Sequence, residues 1–150
     1  MLSKRSVVTN LKNSLQSFLK EEMTEFKGLY PQISFSNLAF CYDASECVFS
    51  FSCNTAFDRN KAVLIYKTVD ADFVRKNPKH WRYQDVALLD LIDEEHFNAY
   101  FGENVDDFYN IIVSELVKFM NSHVFKSLRK DPEFKASFVV LDPFESIALN

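Results

Sequence analysis

The spacing of the three cysteines is the first feature of this chain that could indicate metal binding or catalysis. Cys41, Cys47 and Cys53 are six residues apart, whereas zinc sites usually place their paired cysteines about two to four residues apart. The chain also contains three histidines, His80, His96 and His123. They form no pair at the helical i, i+4 spacing and no H-E-x-x-H motif, so we expect no metal and no cofactor.

An odd number of cysteines favours free thiols over a disulfide framework. The strand alternation derived below turns Cys47 and Cys53 toward an apolar face, which leaves Cys41 as the candidate for Cys–His catalysis. Buried thiols usually behave as small hydrophobic groups, and we expect that role here. The sequence therefore predicts that the protein is not an enzyme.

The chain contains only two glycines, Gly28 and Gly102. Neither the dinucleotide motif G-x-G-x-x-G nor the phosphate loop G-x-x-x-x-G-K-[ST] can be built from them. The nucleophile elbow G-x-S-x-G is excluded for the same reason. These absences remove the usual nucleotide-binding and α/β-hydrolase classes.

Acidic residues are concentrated in one stretch that contains no Lys or Arg. Its members are Asp85, Asp90, Asp93, Glu94, Glu95, Glu103, Asp106 and Asp107. The other segments carry 13 acids against 17 bases, although the whole chain has a net charge of −4. Such a stretch is either a solvated edge or a surface for a basic partner, because charge complementarity steers association. The net charge argues against a nucleic acid partner.

Aromatic and basic residues alternate in the segment 76–83. Trp81 and Tyr83 could stack on nucleic acid bases or form part of a partner-binding or ligand-binding surface. Alternatively, Trp81 anchors a loop on the core with its indole N–H satisfied at the edge. We favour the anchor and keep Trp81 and Tyr83 as candidate partner contacts.

Hydrophobic periodicity predicts the first and last long helices. Leu11, Leu15, Leu19 and Met23 lie on one face of a helix over about residues 6–27, and Gly28 suits a left-handed position after it. Asn104 with Asp107 caps a second long helix that continues through Leu128 and stops at Pro132. His123 would then lie in its last turn, where a cation is favourable.

Between these helices the sequence predicts a β-hairpin. With a turn over 43–46, Tyr42 faces Cys47 and Phe40 faces Phe49. One face then collects aromatic residues and the opposite face collects small polar ones. This pattern is typical of a one-sided antiparallel sheet.

The remaining segments complete a single α+β domain over 1–150. Residues 56–69 are interpreted as a helix, although 62–66 also resembles a buried strand. A short helix has 93–95 in its first turn and ends near Gly102. A strand covers 136–141, and Asp142-Pro143 open a C-terminal helix. We expect a small, mainly antiparallel sheet with helices packed on its aromatic face.

Four blocks of the chain carry a resemblance to a known family. They are 38–43, Cys53-Asn54-Thr55, Trp81-Arg82-Tyr83 and 141–146. With the leading helix, they resemble the bacterial domain-of-unknown-function family number 4303. The resemblance implies an immunity protein of a polymorphic toxin locus, and the family has no established catalytic residues to transfer.

Two functions follow as expectations. The first is an immunity protein that binds and occludes a cognate bacterial toxin in the cytoplasm, with the acidic stretch as the contact surface. The second is a small ligand-binding domain or enzyme with a pocket near Trp81. No apolar run approaches the roughly 20 residues needed to cross a bilayer, so we expect no membrane partner.

Overall fold

A computed structural model describes residues 1–55, 81, 83–141 and 144–150 of the chain. The helices of this part are α1 (Lys4–Leu29), α2 (Glu94–Phe101), α3 (Val105–Met120) and α4 (His123–Lys126). Its strands are β1 (Phe35–Asp43), β2 (Val48–Thr55), β3 (Leu88–Asp90), β4 (Lys130–Leu141) and β5 (Glu145–Ala148). The predicted element over 56–69 lies outside the described residues.

The strands form one sheet in the order β3-β2-β1-β4-β5. The neighbours are antiparallel except at the centre, where β1 and β4 run parallel. Helices cover the aromatic face, as the ring contacts Phe18–Phe49 and Phe40–Phe119 show, with centroids 6.0 Å and 6.3 Å apart. The predicted α+β class is therefore confirmed.

The first helix is confirmed and is slightly longer than predicted. Its buried residues are Val7, Leu11, Leu15, Phe18, Leu19, Met23 and Phe26, all on the predicted face. The left-handed role of Gly28 is wrong, because no described glycine has a positive φ. The helix continues through Leu29, and the N–H of Tyr30 still donates to the carbonyl of Phe26 at 3.0 Å.

The predicted hairpin register is wrong by two residues. Tyr42 pairs with Phe49, and Phe40 pairs with Phe51. The physical cause is Asp43, whose Oδ1 accepts hydrogen bonds from the backbone N–H of Ser45 at 3.0 Å and from its hydroxyl at 2.6 Å. The centre of the loop therefore lies one residue closer to the C-terminus than the sequence predicts. Because the shift is even, every residue in the strands keeps its predicted face.

Cys47 is the exception, because it lies in the loop and not in a strand. Its φ is 57°, which is the left-handed region. The alternation that assigned Cys47 to the apolar face therefore does not apply to it.

The second face of the hairpin is covered, which differs from the predicted one-sided sheet. Ser50 and Ser52 are buried there. Trp81 packs on this face against Ala39, Cys41 and Val139. The small side chains of this face leave room for the indole, and a second, smaller hydrophobic cluster results.

The predicted helix through Leu128 is wrong, because α3 ends at Met120. Asn121 Nδ2 donates back to the carbonyl of Val117 at 2.9 Å, and Ser122 begins a new cap. His123 therefore opens the four-residue helix α4 instead of closing a long one. Pro132, the predicted stop signal, lies inside β4.

The predicted C-terminal helix is also wrong. Residues 142–143 lie outside the described part, and Glu145–Ala148 form the edge strand β5, which pairs with 137–140 of β4. The side chain of Asn150 extends this pairing, since its Oδ1 accepts from the N–H of Ala136 at 2.7 Å. Backbone pairing to β4 thus outweighs the local helix signal of Asp-Pro.

Candidate partner-binding surface

The acidic residues at the start of α2 are placed by helix capping. Asp93 is the N-cap, and its Oδ1 accepts from the N–H of His96 at 2.9 Å. Glu94 and Glu95 follow in the first turn and are exposed. Carboxylates are favourable here because the unpaired amides of the helix start carry partial positive charge. Capping explains why these residues are acidic, while their exposure leaves them free to meet a partner.

A groove of about 710 Å³ lies between the β1–β2 turn and the start of α2. We call it the acidic groove. Four acids line it, and they are Glu46, Asp90, Asp93 and Glu94. Its described lining contains no Lys or Arg, and Phe97 with Leu91 and Ile92 supplies apolar surface. The arrangement suits a cationic side chain whose alkyl part can lie on the apolar wall.

Asp93 has an additional neighbour at the rim of the acidic groove. Its Oδ2 lies 2.6 Å from Nδ1 of His96, and its own side chain is 62% exposed. These hydrogen bonds favour the charged form and lower the pKa of the Asp93 carboxyl. Asp93 is therefore an anion at neutral pH.

The other predicted acids do not join the acidic groove. Asp85 lies on the second face of the sheet, where its Oδ1 accepts from the Ser50 hydroxyl at 2.9 Å. Asp107 lines a separate groove of about 350 Å³ that also contains Lys4 and Lys12. Glu95, Glu103 and Asp106 are exposed but line neither groove.

Of the aromatic candidates, Trp81 is buried and Tyr83 is half-buried. Trp81 is 3% exposed, so little of its ring can reach a partner. Tyr83 bridges to Cys53 through the backbone, and its ring lies 5.5 Å from Phe26 and 5.2 Å from Tyr30. This geometry supports the interpretation of Trp81 as a loop anchor, and we leave both residues out of the surface proposed below.

The thiols occupy three different environments. Cys41 is buried, and desolvation raises its pKa to about 12, with a further contribution from Asp85. Cys53 is buried on the opposite face, and burial raises its pKa well above the ordinary value. A protonated thiol is a poor nucleophile, so this environment does not suit Cys41 for catalysis.

The third thiol, Cys47, is half-buried and lines the acidic groove. Next to it, the hydroxyl of Tyr42 is buried and has no hydrogen-bond partner among the described residues. Burial raises the pKa of Tyr42, and the neighbouring Cys47 thiol raises it further. A buried hydroxyl therefore lies next to the thiol that lines the acidic groove.

Sequence reasoning missed Glu46, Cys47 and the His96 contact. Glu46 lies far along the chain from the acidic stretch, and only the pairing of β2 with β3 brings Asp90 beside this turn. An Asp three residues before a His at a helix start was the available signal for the Asp93–His96 contact.

Comparison with known proteins identifies no relative: no family model, no curated protein and no solved structure matches the chain. Within 1–55, 81, 83–141 and 144–150, no helix is long and apolar enough to span a membrane. The same residues contain no group of three or more His, Cys, Asp or Glu side chains arranged to hold a metal ion.

Proposed function

We propose that this protein is an immunity protein that binds a basic bacterial toxin domain in the cytoplasm and occludes its active cleft. The observation that carries the proposal is the acidic groove, in which four carboxylates surround an apolar wall without a described cation. Toxin domains that act on nucleic acid or nucleotides need basic clefts, and such a cleft is complementary to this groove.

The mechanism is occlusion and requires no chemistry from this chain. The carboxylates attract the partner and set its orientation, since complementary potentials mainly raise the association rate. Phe97 and Leu91 offer apolar surface to the stem of an inserted Arg or Lys. The groove lining thus combines carboxylates for the charged group with apolar surface for the alkyl part of those two side chains.

The resemblance of four sequence blocks to family 4303 implies the same function, although no family model matches the chain. Members of that family occur beside toxin genes. The family has no established catalytic residues, so none is expected in this chain. The buried, protonated state favoured for Cys41 agrees with a binding protein. The rival function, a ligand pocket at Trp81, has less support because the indole is buried.

The proposal predicts that a gene next to this one encodes a basic toxin domain, and co-expression of that domain with this protein tests it. We expect cells that produce both proteins to grow and cells that produce the toxin domain alone to die. The purified pair should also elute together in gel filtration. Death of the co-expressing cells, or separate elution of the two proteins, would overturn the proposal.

A further inference from the structure

The segment before α1 is attached to α2 by two hydrogen bonds. The backbone N–H of Leu2 donates to Nε2 of His96 at 3.3 Å. The hydroxyl of Tyr100, one turn later on α2, donates to the carbonyl of Leu2. Leu2 is therefore bound to α2 through both its backbone N–H and its carbonyl.

The geometry fixes the tautomer of His96. A backbone N–H can only donate, so Nε2 must carry a lone pair. The proton of the neutral ring then sits on Nδ1, where it is donated to Oδ2 of Asp93 at 2.6 Å. The neutral ring of His96 thus accepts a hydrogen bond from Leu2 at Nε2 and donates one to Asp93 from Nδ1.

We propose that His96 is a pH-sensitive latch that releases the backbone N–H of Leu2 when its ring takes up a proton, while the Tyr100 hydroxyl still donates to the Leu2 carbonyl. The added proton occupies Nε2 and brings two donors, Nε2–H and the N–H of Leu2, face to face. The Nδ1–H bond to Asp93 remains and becomes an ion pair, so α2 keeps its cap. Histidine is the side chain whose charge ordinarily changes between about pH 5 and 8.

The charged and titratable groups near this latch belong to two elements. Asp93, Glu95 and Tyr100 belong to α2 or its cap, and Asp93 makes the direct contact. On the side of α1 the charged group in contact with α2 is Lys4, whose ammonium lies 5.3 Å from the centroid of the Phe101 ring. The direct contacts of His96 are thus one carboxylate at Nδ1 and one amide donor at Nε2.

Nitrogen-15 NMR of the free protein tests the latch without any partner, so its result is independent of the proposed function. At pH 8 we expect the His96 resonances of a protonated Nδ1 and an unprotonated Nε2. We expect the hydrogen-exchange protection factor of the Leu2 amide to fall about fivefold to tenfold between pH 8 and pH 5 as its hydrogen bond to Nε2 of His96 is lost.

The matched variants are His96→Asn and His123→Asn. His123 is exposed on α4, so its replacement should leave the pH dependence at Leu2 unchanged. His96→Asn should remove that dependence while the other amides keep their protection. A proton on Nε2 of His96 at pH 8, or equal protection of Leu2 at both pH values in the unaltered protein, would overturn the proposal.

Discussion

At the scale of single residues, the carboxylate of Asp93 both caps α2 and forms part of the acidic groove. Because its hydrogen bonds favour the charged form, its folded pKa lies below the ordinary value. Its stabilising contribution is therefore complete at neutral pH and is lost as the pH falls through that lowered value. The residue that organises the helix start is thus also charged under the conditions in which a basic partner would bind.

The environments of the three thiols predict different reactivities. At pH 8 a disulfide reagent such as dithionitrobenzoate should modify one thiol of the native protein, Cys47, and all three after denaturation. Cys41 and Cys53 are each no more than 2% exposed, and burial raises the pKa of both. Peptide mapping identifies the modified site. Rapid modification of Cys41 in the native protein would contradict the described packing.

The unpartnered hydroxyl of Tyr42 predicts a stabilising substitution. Tyr42→Phe removes a buried polar atom that has no partner in the described part of the chain. The free energy of unfolding should rise by about 1 kcal/mol, since an unsatisfied buried group carries a desolvation cost. Urea denaturation measures the change. A loss of stability would show that the hydroxyl makes a hydrogen bond in solution.

At the scale of elements, two helix starts were readable from sequence and the strand ends were not. Asn104 and Asp93 start helices where their residue types predicted, because a cap is a local interaction. The hairpin register failed because the Asp43 side chain decides where the turn closes. The C-terminal strand was missed because β4, a non-local partner, determines its structure.

A pair of substitutions in one helix tests the cap at Asn104. Asn104→Ala should lower the free energy of unfolding by about 1 kcal/mol, because Oδ1 then no longer accepts from the N–H of Asp107. Asn110→Ala, at an exposed interior position of α3, should be neutral or slightly stabilising because Ala has the higher helix propensity. Equal effects of the two substitutions would contradict the assigned cap.

At the scale of the whole molecule, the sequence indicated an acidic surface but not its shape. The stretch 85–107 is divided by the fold: Asp85 goes to the second sheet face, and Asp107 to a groove with two lysines. Glu46 joins the remaining acids only through the tertiary structure. We therefore infer that the position of the groove, more than the number of acids, determines where a basic partner binds.

The most direct test of this account is the association rate constant for the basic toxin domain that the proposed function predicts next to this gene. We compare Glu46→Lys/Asp90→Lys, within the acidic groove, with Glu21→Lys/Glu25→Lys, at exposed positions of α1. Both variants change the net charge equally. We expect the groove variant to associate at least about tenfold more slowly at low ionic strength, with a difference that shrinks as salt rises. Equal association rates of the two folded variants would contradict the acidic groove as the binding surface.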